Sequence, residues 1–241
     1  MHSPFVFGLV TRCFYNKEPH AAYKVIYNYR KKMLKNRNSI NITDFGAGSK
    51  VFSSNERKIA AIAWNSGITP KRGRLMNRLV RYLNIRNALE LGTSVGIGSV
   101  SMAAGNDVKL TTIEGCPETA KVAEKSFQEF GLHDINLKVG KFEPVLGKIL
   151  KNAYKYPLFD LVFIDGNHQK EATLAYFEKL LPVLHNDSVV IFDDIHWSRG
   201  MEEAWSAIIE HPKVSVSIDT FFQGFVFFRK EQRKEHFVIR V

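Results

Sequence analysis

The stretch Ala88-Leu89-Glu90-Leu91-Gly92-Thr93-Ser94-Val95-Gly96-Ile97-Gly98 passes from an apolar run through a glycine turn into a helical pattern. That order reads as strand, tight turn and helix. Glycine lets a backbone approach a ligand closely, and a helix start offers free N–H groups and a partial positive charge. In open α/β sheets ligands bind at the carboxyl ends of strands, where this turn falls. A dinucleotide turn needs G-x-G-x-x-G. From Gly92 that pattern would require glycine at 94 and 97, where Ser94 and Ile97 stand. The other reading of the turn is packing alone, with the glycines only letting helix and strand lie close.

Downstream, short β-type runs alternate with helical stretches. The expected strands are Ala88–Leu91, Lys109–Glu114, Ile135–Val139, Leu158–Ile164, Ser188–Phe192, Val214–Ile218 and Gly224–Arg229. Helices are expected over Ile97–Ala104, Pro117–Phe130, Glu143–Tyr154, Lys170–Leu184 and Gly200–Glu210. Successive βα units imply a parallel sheet with helices on both faces. The last two strands are joined by a hairpin-length link, Asp219 to Gln223. Upstream, residues 1–38 read as helical, Asp44-Phe45-Gly46-Ala47-Gly48-Ser49-Lys50 as a glycine loop, and Glu56–Trp64 and Arg74–Leu83 as helices. The loop is read either as a flexible edge over the site or as a plain connection. The division expected is a basic, mainly helical N-terminal extension or lid over 1–69 and a catalytic domain over 70–241.

Composition narrows the class. A chain of 241 residues buries one sizeable core. Cys13 and Cys116 form no finger or disulfide spacing, no run reaches membrane-span length, and no secretory pattern opens the chain. A cytoplasmic protein is the expectation. The net charge of +10 is uneven, because residues 1–86 hold 17 Lys/Arg against 3 Asp/Glu. That excess marks either an anionic partner or a solvated lysine-rich face.

Two apolar strands end in carboxylates. Phe159–Ile164 leads into Asp165-Gly166-Asn167-His168, and Val189–Phe192 leads into Asp193-Asp194-Ile195-His196-Trp197. Neighbouring strands ending this way bring three carboxylates together, which repel unless neutralised. A divalent cation, Mg²⁺ or Ca²⁺, suits such hard oxygen donors. Cofactor or helix-cap contact without metal is the other reading of Asp165 and Asp193, and capping or plain exposure the other reading of His168.

The E-x-G-x-x-x-G-x-G spacing of Glu90, Gly92, Gly96 and Gly98 resembles the first motif of class I S-adenosylmethionine-dependent methyltransferases. Residues 70–200 look like the cation-dependent catechol and caffeoyl-CoA type O-methyltransferases. The resemblance implies a Rossmann-like α/β fold, with a seven-stranded, mostly parallel sheet, a C-terminal antiparallel hairpin and helices on both faces. It implies cofactor contact by Glu90, Gly92, Thr93, Ser94, Gly96, Gly98, Glu114, Gly140, Phe142 and Asp165. Glu90 would lie near the methionine ammonium, Glu114 on the ribose hydroxyls and Phe142 by adenine. Asp165, Asp193 and Asp194 would hold the metal, with Asp194 standing where the family has asparagine. His168 stands where the family places a lysine beside the substrate hydroxyl, so His168 and Asp165 become the catalytic expectation. The function expected is O-methylation of a small-molecule hydroxyl, by a chain that resembles enzymes often found as homodimers. RNA or protein methylation through the basic third, and a non-catalytic module binding a nucleotide-like ligand, are the alternatives.

Overall fold

The computed structural model describes residues 3–43, 45, 54–151 and 158–241. The N-terminal part contains α1 (Pro4–Leu9), a π-helical turn (Val10–Phe14), α2 (Ala22–Lys35), strands β1 (Ser39–Asn41) and β2 (Glu56–Lys58), and α3 (Ile59–Asn65). Then α4 (Pro70–Tyr82) leads into β3 (Asn87–Leu91), α5 (Ile97–Ala103), β4 (Lys109–Glu114), α6 (Pro117–Glu129), β5 (Ile135–Val139) and α7 (Phe142–Lys151). The chain continues through β6 (Phe159–Ile164), α8 (Lys170–Leu180), β7 (Leu184–Asp193), α9 (Arg199–Glu210), β8 (Val216–Asp219), β9 (Gln223–Phe227) and β10 (Glu235–Val238). Pro182, in a 3₁₀ turn after α8, ends that helix short of the expected Leu184. The glycine-loop residues 44 and 46–50, and 152–154 of the expected seventh helix, lie outside the described residues.

The main sheet has eight strands in the order β10-β8-β9-β7-β6-β3-β4-β5. The expected seven become eight because β10 adds to the edge, parallel to β8, with Glu235 opposite Val216. Strands β7, β6, β3, β4 and β5 are mutually parallel, and β9 runs antiparallel to both β7 and β8. A separate two-stranded sheet, β1 with β2, replaces the start of the helix expected from Glu56.

Strand alternation divides the core. On β6, Leu161 and Phe163 enter one cluster with α4 and the N-terminal turns, whereas Val162 and Ile164 enter another with α8 and α9. Both sides of the central strands are therefore buried, as a parallel sheet requires. The first residues belong to this core. Val6, Leu9 and Phe14 pack with Ile218, Phe225 and Phe227. The Phe5 and Phe227 rings meet edge to face at 5.0 Å, and the Tyr15 hydroxyl donates to the Arg240 carbonyl at 3.0 Å. Basic side chains of the first third are partly spent internally. Arg78 donates to the carbonyls of Cys13 and Phe14, and Lys32 pairs with Glu129.

Candidate functional site

The carboxyl ends of β3, β4, β6 and β7 share one rim of the sheet. The glycine turn is tied to its neighbours there: Gly92 N–H donates to the Ile113 carbonyl at 3.0 Å, and Asp165 N–H donates to the Leu91 carbonyl at 2.8 Å. Gly92 has φ +110°, and a Cβ there would lie 1.9 Å from the Asp165 carbonyl oxygen. Only glycine admits that close approach in that conformation. Gly96 caps α5 with φ +82°, and a Cβ on it would press on the Tyr29 hydroxyl and the Phe127 ring.

A cavity of about 360 Å³ opens at this rim. Of the residues expected to touch cofactor, Gly92, Ser94, Glu114, Phe142 and Asp165 line it. The Glu114 carboxylate accepts from Ser94 N–H at 2.7 Å and from Cys116 N–H at 2.8 Å, one bond to each oxygen. The Phe142 ring lies over Gly166 and meets Tyr176 edge to face at 5.8 Å.

The other expected cofactor residues stand behind this wall. Thr93 is buried, with its hydroxyl 2.6 Å from that of Thr112, so it braces the turn. Gly140 N–H donates to the Glu114 carbonyl at 2.8 Å and fixes the end of β5 beside β4. Glu90 is fully buried. Its Oε2 accepts from Thr112 at 2.6 Å and from the Ser99 hydroxyl, while its Oε1 has no partner and faces Gly98. Burial pushes the Glu90 carboxyl up to about 7, against the two hydroxyl donors and helped by the charge of Glu114. An orphaned carboxylate oxygen in an apolar setting favours a nearby cation.

Beyond Asp165, the end of β7 brings Asp193 and Asp194 close. Burial raises the Asp165 carboxyl well above the ordinary carboxylate range, followed by the charges of Asp193, Asp194 and Glu90. Burial, then Asp194, lifts Asp193 to about 6, and Arg72 opposes both shifts. His168 is pulled below 6.5 by burial, partly offset by Asp194, so its imidazole is neutral at pH 7. The neighbouring His196 is engaged elsewhere: its Nε2 is 2.8 Å from Asp219 and its ring stacks on Phe221 at 5.6 Å.

Arg72 is the residue the sequence reading passed over. It lies in the first turn of α4, where the Thr69 hydroxyl caps the helix by accepting Arg72 N–H at 3.3 Å. Its Nη1 reaches both Asp193 oxygens, at 3.3 and 3.5 Å. The available signal was Thr69-Pro70, a cap followed by proline at the first helical position, which placed residue 72 at a helix start next to the strand ends. Among the described residues no three His, Cys, Asp or Glu side chains converge as a metal-holding group.

A family model described as O-methyltransferase matches residues 54–225. A caffeoyl-CoA O-methyltransferase from Pinus taeda is 26% identical over 149 residues, 60% of this chain and 57% of that protein. A catechol O-methyltransferase from Niastella koreensis is 27% identical over 131 residues, 53% of this chain and 58% of that protein. The chain thus spans 57–58% of the length of these curated relatives. An O-methyltransferase structure from Bacillus cereus in complex with SAH matches with TM-score 0.62 at 20% identity, covering 92% of this chain and 97% of that one. An SAH-bound methyltransferase from Podospora anserina matches with TM-score 0.64 at 14% identity, covering 95% and 97%. These likenesses carry the fold, and with the family match extending over well more than half its length, the chain belongs to the O-methyltransferase family.

Proposed function

We propose that this chain transfers a methyl group from S-adenosylmethionine to a hydroxyl of a small molecule. The observation that carries the reading is the Glu114 carboxylate, held by two backbone N–H groups at the wall of a cavity that also reaches Asp165. A carboxylate fixed at a cavity wall is the kind of acceptor that suits a vicinal diol such as ribose. Phe142 and Tyr176 supply apolar wall for a flat base. Relatives named for caffeoyl-CoA and catechol O-methylation, and neighbours with SAH bound, support the same cofactor and acceptor class.

Asp165 joins the cavity to the carboxylate cluster, so the acceptor hydroxyl belongs on its far side, between Asp165 and His168. S-adenosylmethionine, when bound, supplies an electrophilic methyl on a sulfonium. Neutral His168 would take the hydroxyl proton of the acceptor, leaving its oxygen ready for the methyl that the bound cofactor would supply. Positioning and electrostatics do most of the work. The donors Asp165, Asp193 and Asp194 are of the chemistry a divalent cation prefers. As arranged, however, Asp193 is taken by Arg72, and the set does not fit a chelating group. No step here runs through a metal. Residues 70–241 carry the chemistry in this reading. The extension acts as a cover, because Ile42, Phe45, Arg57, Ile62 and Ser66 line the cavity.

The test is methyl transfer from labelled S-adenosylmethionine to a panel of phenols, vicinal diphenols, RNA and protein. Label on a small hydroxyl compound, abolished in His168→Gln, is the expected result. Label confined to RNA or protein contradicts the reading.

A further inference from the structure

The strand-end carboxylates already have a cation. Arg72 Nη1 lies 3.3 and 3.5 Å from the two oxygens of Asp193, and the side chains are only 20% and 10% exposed. The guanidinium is seated from three sides. Asp193 faces it at the end of β7. The Thr69 hydroxyl that caps α4 lies 3.4 Å from Arg72 Nε. The Phe222 ring, at the tip between β8 and β9, lies 5.0 Å from Arg72 Cζ and is itself braced edge to face by Phe221 at 5.1 Å. The guanidinium thus pairs with the carboxylate through one nitrogen while packing on an aromatic face. Its charge is permanent, because arginine does not deprotonate in proteins.

We propose that the Arg72 guanidinium takes the place of a divalent cation at Asp193, so that this chain orders its carboxylate cluster for the acceptor hydroxyl without a bound metal. The proposal rests on the O-methyltransferase reading above for the identity of the acceptor, and on its own geometry for the rest. A divalent ion bound by Asp193 would sit against the guanidinium, and like charges at that distance repel strongly in a partly buried site. It would also have to pull Asp193 out of the pair, leaving the half-buried Arg72 guanidinium without that carboxylate. Arg72 acts here through Asp193 and is a positioning residue.

The probe is Mn²⁺, followed by loss of its free electron-paramagnetic-resonance signal on titration with the full chain. The wild type is expected to leave the signal unchanged at equimolar metal. Arg72→Ala removes the built-in cation, and is expected to bind Mn²⁺ about tenfold or more tightly than the wild type. Arg72→Lys keeps a charge and is expected not to gain that affinity. A melting curve on each variant, with and without S-adenosylmethionine, reports folding and the cofactor site separately. Loss of the cofactor response with the metal result intact would therefore indict the O-methyltransferase reading alone. One Mn²⁺ bound per wild-type chain and lost in Asp193→Asn overturns the proposal, whatever the fate of the Arg72 variants. So does a folded Arg72→Ala protein that binds Mn²⁺ no better than the wild type.

Discussion

Replacing Glu90 by glutamine isolates the electrostatic cost stored under the glycine turn. The carboxyl is fully buried, one oxygen takes the Ser99 and Thr112 hydroxyls, and the other has no partner. Its pKa rises from an ordinary 4.5 to about 7 on folding. At about 1.4 kcal/mol for each tenfold change, that is about 3 kcal/mol. The sign follows from proton uptake: between the two values the folded state binds more protons than the unfolded one, so stability falls as pH rises. The Glu90 contribution is complete below 4.5, is lost as pH rises through about 7, and stays lost above. The glutamine amide keeps an oxygen for Ser99 and Thr112, and leaves its NH₂ group beside Gly98 at a pH-independent cost of about 1–3 kcal/mol. Asp165 and Asp193 are raised in the same direction but remain in both proteins, so to first order they cancel. Urea unfolding followed by tryptophan fluorescence between about pH 4.5 and 8 measures the difference directly. The gap between Glu90→Gln and wild type should move by about 3 kcal/mol in favour of the variant across that range, or about 6–12 °C in Tm. A gap that stays flat with pH refutes the argument.

Other consequences are sharper but narrower. Gly92→Ala meets the Asp165 carbonyl at 1.9 Å in a conformation closed to alanine, and should cost about 2 kcal/mol or more by urea denaturation. With His168 as the base and its pKa lowered below 6.5 by burial, the methyl-transfer rate should rise with pH through that lowered value and level off. His168→Gln should lose that limb and about 10²–10⁴ in kcat, and a variant with an unchanged pH–rate profile rules the base role out. The basic excess of the first third is partly consumed by Arg72, Arg78 and Lys32 in internal contacts. RNA affinity by filter binding should therefore be weak, and tight binding that falls steeply with added salt would revive the nucleic-acid alternative.

The central fold was legible because the middle strands β3, β6 and the end of β7 are largely apolar runs closed by glycine or a carboxylate. Ala88–Leu91 and Phe159–Ile164 are buried on both faces, and nothing competes with that pattern. Strand β10 was not legible. Glu235 to Val238 alternates half-buried and exposed residues at a sheet edge, and Val238 is 78% exposed, so only pairing with β8 makes it a strand. Residues 56–58 carry charged side chains, and only pairing with β1 sets them apart from the helix that follows. The site divides the same way. Glu114 and Asp165 could be read from their places at strand ends. Thr93 and Glu90, expected on the cofactor, are instead buried outside the cavity lining, because whether a turn residue faces a cavity or a core depends on the neighbouring strand. Arg72 was hidden because its partner lies 121 residues away and a helix start says nothing of what it faces.

The account stands or falls on the cavity walled by Glu114, and calorimetric titration of the full chain with S-adenosylmethionine tests it most directly. One site per chain is expected in the wild type, with affinity reduced about tenfold or more in Glu114→Ala, which removes the acceptor and strands two backbone N–H groups. No binding by the wild type, or binding unchanged in Glu114→Ala, would contradict it.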